Sequence, residues 1–189
     1  PHLAADVAAG QPVHVLIVGF DWLGQAIALQ TMRLAHYGAA TPRVTVLVRE
    51  AGARAGRFKR VYPQAERCCR VQFLELEAAE LDPRSPVTSV FICLDDEAAA
   101  LEYRERVKTW VRRHQSAAPP VFLRVAAGRT GGELADWDGQ TYPFCPYREA
   151  CRPELLFGDR GDALARIIHA YYRDTIAAQG RDLASTPAD

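Results

Sequence analysis

The chain has 189 residues, of which 49% are hydrophobic and 24% are charged, a composition typical of one folded domain with an appendage. Lys and Arg together number 23, as do Asp and Glu, so the net charge is +0 and excludes a global positive field for nucleic acid or anionic lipid. No apolar run approaches the ~20 residues that cross a bilayer, so direct membrane insertion is not expected.

The pattern of apolar residues divides the chain into strands that alternate with helices. The elements that it predicts are, in chain order, a strand at 13–19, a helix at 23–37, a strand at 44–48, a basic helix at 53–61, strands at 71–76 and 87–94, a helix that begins at Asp95 or Asp96 and ends near 114, a strand at 121–126, a short helix near Leu134, a short strand at 142–145 and an amphipathic helix at 162–178. Continuous apolar runs indicate strands that are covered on both faces.

This alternation of strands and helices is typical of βαβ units. We therefore predict an α/β fold of the Rossmann-like, doubly wound class: a mostly parallel sheet in the order 3-2-1-4-5-6 with helices on both faces. Residues 1–12 are expected to be an N-terminal extension and residues 13–158 the Rossmann-like domain. Residues 159–189 are expected to hold the amphipathic helix and a frayed tail, at the start of a further, truncated module.

A glycine motif follows the first strand directly. Its residues are Gly19, Phe20, Asp21, Trp22, Leu23 and Gly24. A strand, a glycine turn and a helix form the setting of a dinucleotide site, where the second glycine lets the backbone approach a pyrophosphate. Asp21 stands at that second position, where it adds bulk and negative charge and can cap the helix itself. A Walker A motif is excluded, because Gln25 and Ala26 stand where Lys and Ser or Thr are needed.

The end of the second strand is a further test, because an acidic residue there accepts the ribose hydroxyls of a dinucleotide. The strand ends in Val48, which Arg49 and Glu50 follow. Glu50 comes two residues late, although a loop could bring it back. Arg49, with Arg54 and Arg57, could hold a phosphate or could lie on a solvated surface, and the residues alone leave both readings open.

The segments HVLIVGFDWLGQAIA, VTVLVRE, VFICLDDE and PPVFLRVA follow one another over residues 13–126. In that order they resemble the TrkA N-terminal family, also called the RCK (regulator of potassium conductance) N-terminal domain. These are Rossmann-type domains on the cytoplasmic side of potassium channels and transporters. The segment DALARIIHAYYRD is similar to the opening helix of the ryanodine-receptor-type repeat, which accompanies this domain in some bacterial proteins, so we expect an excised domain of a longer protein.

The resemblance implies a cytoplasmic, non-enzymatic regulatory domain that senses an adenine nucleotide or NAD(H), with the identity of the ligand left open. It implies a homodimer coupled to a membrane channel or transporter, or to a downstream domain of the same protein. The ligand-binding residues that it implies are Gly19, Phe20, Asp21, Trp22, Leu23 and Gly24 in the turn, Arg49 and Glu50 near the ribose, and Leu94, Asp95 and Asp96 beyond the fourth strand. The departures at Asp21 and Val48 weaken NAD binding in particular.

Several of these residues also have a purely structural interpretation. Asp95 and Asp96 could contact a ligand or cap the following helix, and Trp22 could stack on a base or fill a cavity left by a missing cofactor. Arg124 could meet an anion or pair with Asp95 or Asp96. Cys93 is expected to be buried.

Two other functions compete with ligand sensing. The first is a scaffold or dimerisation domain that binds no nucleotide. The second is an NAD(P)-dependent oxidoreductase, which the short chain disfavours, as does Val107 at the place where a Tyr103-xxx-Lys pair would need its lysine. No catalytic residue is predicted. The five cysteines show no CxxC spacing and the five histidines are scattered, so no metal site is predicted.

Overall fold

The computed structural model describes residues 12–36, 40–77, 81–82, 84–126 and 140–146. The strands within these ranges are β1 His14–Val18, β2 Arg43–Val48, β3 Arg70–Glu75, β4 Ser89–Ile92, β5 Val121–Arg124 and β6 Thr141–Phe144. The helices are α1 Trp22–Leu34, α2 Ala51–Val61, α3 Ala65–Cys68 and α4 Glu97–His114. The chain separates into two compact units, Pro1–Cys145 and Pro146–Asp189, and all of these elements belong to the first.

The six strands form one sheet in the order β3-β2-β1-β4-β5-β6, and every neighbouring pair runs parallel. The predicted class and strand order are therefore confirmed: this is a Rossmann-like α/β fold. The order of the strands reverses between β1 and β4, and ligands of open α/β sheets bind in the crevice at the carboxyl ends of such strands.

Each face of the sheet packs against its own helices. Alternate residues of β1 point to opposite faces, so Val15 and Ile17 lie in the hydrophobic core that contains α1 and α2. Leu16 and Val18 lie in the second core, which contains α4. All five residues of β1 are buried, which is why the sequence of this central strand is apolar without alternation.

The boundaries of the elements differ from the predicted ones in detail. α1 ends at Leu34, where the predicted helix extended to residue 37, and the Ala35 N–H closes its last turn on the Thr31 carbonyl. α3 was not predicted, because a helix of four residues after Pro63 is too short to show a hydrophobic period. The N-terminal extension, the short helix near Leu134, the domain boundary at residue 158 and the helix at 162–178 lie outside the described residues.

Candidate functional site

The two glycines of the turn are required by packing. Gly19 has a φ of 91°, in the left-handed region that favours glycine. A Cβ at Gly19 would lie 3.1 Å from Cδ2 of Leu94, and one at Gly24 would overlap the carbonyl oxygen of Gly19. The close approach of β1, α1 and the segment after β4 therefore explains both glycines without any ligand.

Asp21 occupies the helix end that a phosphate would use. Its Oδ1 accepts hydrogen bonds from the backbone N–H groups of Leu23 at 3.0 Å and of Gly24 at 3.1 Å. The prediction that Asp21 caps α1 is thus confirmed. Because the free N–H groups of a first turn are the donors that bind an anion at a helix N-terminus, an internal carboxylate already satisfies two of the donors at this site.

Arg124 connects the three segments that border the crevice. Its Nη1 lies 2.7 Å from Oδ2 of Asp21, its Nη2 lies 2.7 Å from Oδ1 of Asp95, and Nη1 also donates to the Cys93 carbonyl at 3.3 Å. The Arg124 side chain is only 13% exposed. The guanidinium, at the end of β5, therefore holds the glycine turn and the segment after β4 through charge-assisted hydrogen bonds.

The pairing of Arg124 with Asp95 was one of the sequence-based alternatives, and the structure has it. The pairing with Asp21 was missed, because the two residues are 103 positions apart in the chain. The available signal was an arginine at the carboxyl end of an apolar strand, close to a glycine turn that itself carries an acid.

Trp22 lies at the mouth of the same crevice. Its side chain is 51% exposed, and Cζ of Arg124 lies 6.0 Å from the centre of its ring, at the outer range of a cation–π contact. Half of the side chain is accessible to solvent, and the two interpretations of Trp22, stacking on a base or filling the space of a missing cofactor, both stay predictions. The indole offers an aromatic surface beside the guanidinium.

Phe20 and Leu23, which the resemblance places around a ligand, have buried side chains. The Phe20 ring packs edge-on against Phe73 at 5.0 Å and against Phe58 at 5.5 Å between ring centres. Leu94 is partly buried and packs against the core on the α4 side. The side chains of Phe20 and Leu23 therefore serve the core, and only their backbones border the crevice.

The start of α2 is held by an acid that sequence reasoning missed. The carboxylate of Glu75, at the end of β3, accepts from the backbone N–H groups of Glu50 and Ala51, both at 3.0 Å. Glu50 itself has a left-handed φ of 57°. Arg49 forms an ion pair with Glu77 at 3.5 Å, and the two side chains are 77% and 71% exposed. Arg49 thus lies on a solvated surface.

Asp96 caps α4, with Oδ1 accepting from the Ala98 N–H at 3.0 Å. The capping interpretation is therefore confirmed for Asp96, while Asp95 pairs with Arg124. The three longer helices that start at the carboxyl edge of the sheet, α1, α2 and α4, each receive a carboxylate at the N-terminus, from Asp21, Glu75 and Asp96 respectively.

Other polar groups near the sheet have structural partners. Cys93 is buried as predicted, and burial raises the pKa of its thiol to about 12. The Tyr103 hydroxyl donates to the Leu76 carbonyl at 3.2 Å. In the described ranges, no cluster of three or more His, Cys, Asp or Glu residues is arranged to hold a metal ion. Nor is any helix in those ranges both long and apolar enough to cross a membrane.

Comparison of the sequence with known protein families and with curated proteins found no match. The fold and the geometry of the crevice are therefore the basis for assigning a function, and the family resemblance remains a prediction.

Proposed function

We propose that this chain is a non-enzymatic, ligand-sensing regulatory domain of the TrkA N-terminal type. In this proposal the crevice between β1 and β4 is closed by internal ion pairs until a ligand enters. The ligand class is an adenine nucleotide, with NAD(H) disfavoured. The domain acts in the cytoplasm as a homodimer attached to a potassium channel or transporter, or to a downstream domain of the same protein.

The observation that carries the proposal is the position of Arg124 between two carboxylates and beside a half-exposed indole. A phosphate of the ligand can replace Asp95 at the guanidinium, since Asp95 is the more exposed of the two acids. Trp22 can stack on the adenine base. Release of Asp95 from Arg124 would free the segment before α4. Ligand binding would then be coupled to movement of that segment.

A scaffold domain without a ligand is the second candidate. It is favoured by the carboxylates that cap α1, α2 and α4, because helix N-termini already neutralised in this way attract an anion less strongly. An oxidoreductase has weaker support, since the Tyr103 hydroxyl is committed to the Leu76 carbonyl.

A thermal-shift screen with ATP, ADP, AMP, NAD(H), NADP(H) and cyclic dinucleotides separates these candidates. A ligand at 100 times its dissociation constant adds about 2.7 kcal/mol of stability, which raises Tm by about 5–10 °C in a chain of this size. We expect a shift with an adenine nucleotide. The absence of any shift would support the scaffold, and turnover of NADH or NADPH with a substrate would support the oxidoreductase.

Asp21→Gly is expected to improve the binding of any diphosphate ligand at the crevice, because it frees two N–H groups and removes a negative charge. Asp21→Asn keeps an oxygen that can cap α1 but loses the charge, so its affinity is expected to lie between the wild type and Asp21→Gly. Calorimetry with ADP and with NAD measures both effects.

Glu105→Gln, which removes one exposed charge on α4, is the control and should leave the affinity unchanged. Micromolar binding of NAD by the wild-type chain would contradict the prediction that Asp21 and Val48 weaken NAD binding. Equal affinity in the wild type, the two Asp21 variants and the Glu105→Gln control would show that Asp21 does not weaken ligand binding at the crevice.

A further inference from the structure

A second cavity lies at the opposite end of the sheet from the crevice, at the amino ends of β1, β2 and β3. It measures about 180 Å³, and its polar lining includes His14, Arg43, Thr45, Arg70, Asp82 and Ser85. Pockets for drug-sized molecules are about 300–1,000 Å³, so this cavity suits a much smaller ligand. None of the residues that line it belongs to the crevice, so a ligand here is independent of the proposed nucleotide.

The wall of this cavity on β1 and β2 is polar although it lies within the sheet. His14 and Thr45 are both buried, and Nε2 of His14 lies 2.8 Å from the Thr45 hydroxyl. Nδ1 lies 3.1 Å from both the carbonyl oxygen and the hydroxyl of Ser85. The imidazole is therefore held in one orientation, between Thr45 and Ser85.

Two arginines line this cavity from neighbouring strands. Arg43 on β2 is the register partner of Arg70 on β3 in a parallel pair, so the two side chains start from adjacent positions of the sheet. Arg43 donates to the Ser85 hydroxyl at 2.8 Å. Within the part of the chain that the structure describes, neither arginine forms an ion pair with a carboxylate.

Asp82 is the acidic residue of the lining, and its Oδ1 accepts from the backbone N–H of Arg84 at 2.9 Å. Val87, which also lines the cavity, is held by Gln115, whose amide exchanges two hydrogen bonds with the Val87 backbone, at 3.2 and 3.1 Å. The cavity is thus preorganised, with an excess of positive charge from Arg43 and Arg70 over Asp82.

We propose that this cavity is a binding site for a small oxyanion, a phosphate or carboxylate group held between the guanidinium groups of Arg43 and Arg70. An anion between the two arginines neutralises positive charge in the cavity lining, and guanidinium groups match the geometry of both oxyanions. The dimensions of the cavity restrict the ligand to a free anion or a small metabolite that carries one.

Calorimetry at constant ionic strength tests this site, with inorganic phosphate and malonate as separate probes. Arg70→Gln removes one guanidinium at an exposed position, and we expect it to weaken binding at least about tenfold. Arg60→Gln, an equal loss of charge at an exposed position of α2, is the matched control and should bind as the wild type does. A heat of binding with phosphate only assigns the ligand to the phosphates, and a heat of binding with malonate only assigns it to the carboxylates.

A nuclear magnetic resonance titration gives a second readout that does not depend on the heat of binding. The probe anion should shift the ring signals of His14 in the wild type and in Arg60→Gln, but not in Arg70→Gln. Equal binding by Arg70→Gln and Arg60→Gln would overturn the proposal, because it would place the anion elsewhere. The absence of binding of either probe at millimolar concentration would overturn it as well.

Discussion

His14 illustrates how burial controls the charge of a single residue. Burial lowers the pKa of this histidine below 6.5, and the nearby Arg43 guanidinium acts in the same direction. Hydrogen bonds with the backbone of Ser85 and Pro86, together with the charge of Asp82, oppose this effect. The folded protein therefore keeps His14 neutral at a pH where an exposed histidine is protonated.

The stability of the protein is expected to fall as the pH drops below 6.5. In that range the unfolded chain binds a proton at His14 that the folded chain excludes, so stability present above pH 6.5 is lost as the pH approaches the lowered folded pKa. The loss from one histidine is at most about 1.4 kcal/mol per pH unit. Urea unfolding at several pH values between about 7.5 and 5.5 measures it.

His14→Gln should flatten this dependence, because the amide keeps hydrogen-bonding groups without a titrating one. His114→Gln, at an exposed histidine, is the control and should behave as the wild type does. If the wild type and His14→Gln lose stability equally over this range, His14 is not the residue responsible.

Local roles of residues could be predicted from the sequence, whereas distant partnerships could not. The capping by Asp21 and Asp96 depends on backbone N–H groups two and three residues away, so the local pattern was sufficient. The contacts of Arg124 with Asp21 and of Glu75 with Ala51 cross 103 and 24 residues. Only the strand order brings those groups together at one edge of the sheet.

Among the helices, α2 is one whose stability could be raised by substitution. It contains two glycines, Gly52 and Gly56, and a Cβ built at either would meet no atom within 4 Å among the described residues. Glycine in a helix interior costs about 0.5–1 kcal/mol relative to alanine. No close packing in the described structure requires that cost.

Gly52→Ala and Gly56→Ala are each expected to raise the free energy of unfolding by about 0.5–1 kcal/mol. Gly24→Ala is the contrasting variant and should destabilise the protein, because its Cβ would overlap the carbonyl oxygen of Gly19. Chemical denaturation measures all three. A loss of stability in Gly52→Ala would show that this face of α2 contacts another part of the protein.

The cores of the strands were predicted, but their ends were located no better than those of the helices. Each central strand is buried on both faces, so its apolar run is continuous and can extend beyond the paired residues: β4 was predicted at 87–94 and spans Ser89–Ile92. The ends of α1 and α2 depend on particular contacts, such as the Glu75 carboxylate at Ala51, which begins α2 two residues before its predicted start at residue 53.

For the whole molecule, the βαβ alternation was sufficient to predict the sheet. Crossovers between parallel strands are right-handed, and this rule leaves few arrangements that cover both faces of six strands. The quaternary structure does not follow from this alternation, because it depends on the predicted helix at 162–178, which lies outside the described residues. Its apolar stripe of Leu164, Ile167, Ile168 and Tyr171 needs a cover.

We expect that cover to come from a second copy of the chain. The double substitution of Ile167 and Ile168 by Glu should then convert a dimer to a folded monomer, as measured by light scattering with circular dichroism. Arg166→Glu, on the opposite face of the predicted helix, should leave the dimer intact. Loss of folding in the double variant would place the helix in the core of its own chain, and a monomeric wild type would contradict the dimer.

The position of β1 in the centre of the sheet also determines the order in which the protein can fold. β1 precedes the other described strands, yet one of its two neighbours is β4, and the contact between His14 and Thr88 spans 74 residues. On the ribosome, β1, β2 and β3 are complete while the other edge of β1 is still uncovered. Until β4 emerges, that edge presents unpaired backbone N–H and C=O groups to other strands, so the interval between the synthesis of β3 and of β4 is when this sheet is most open to mispairing.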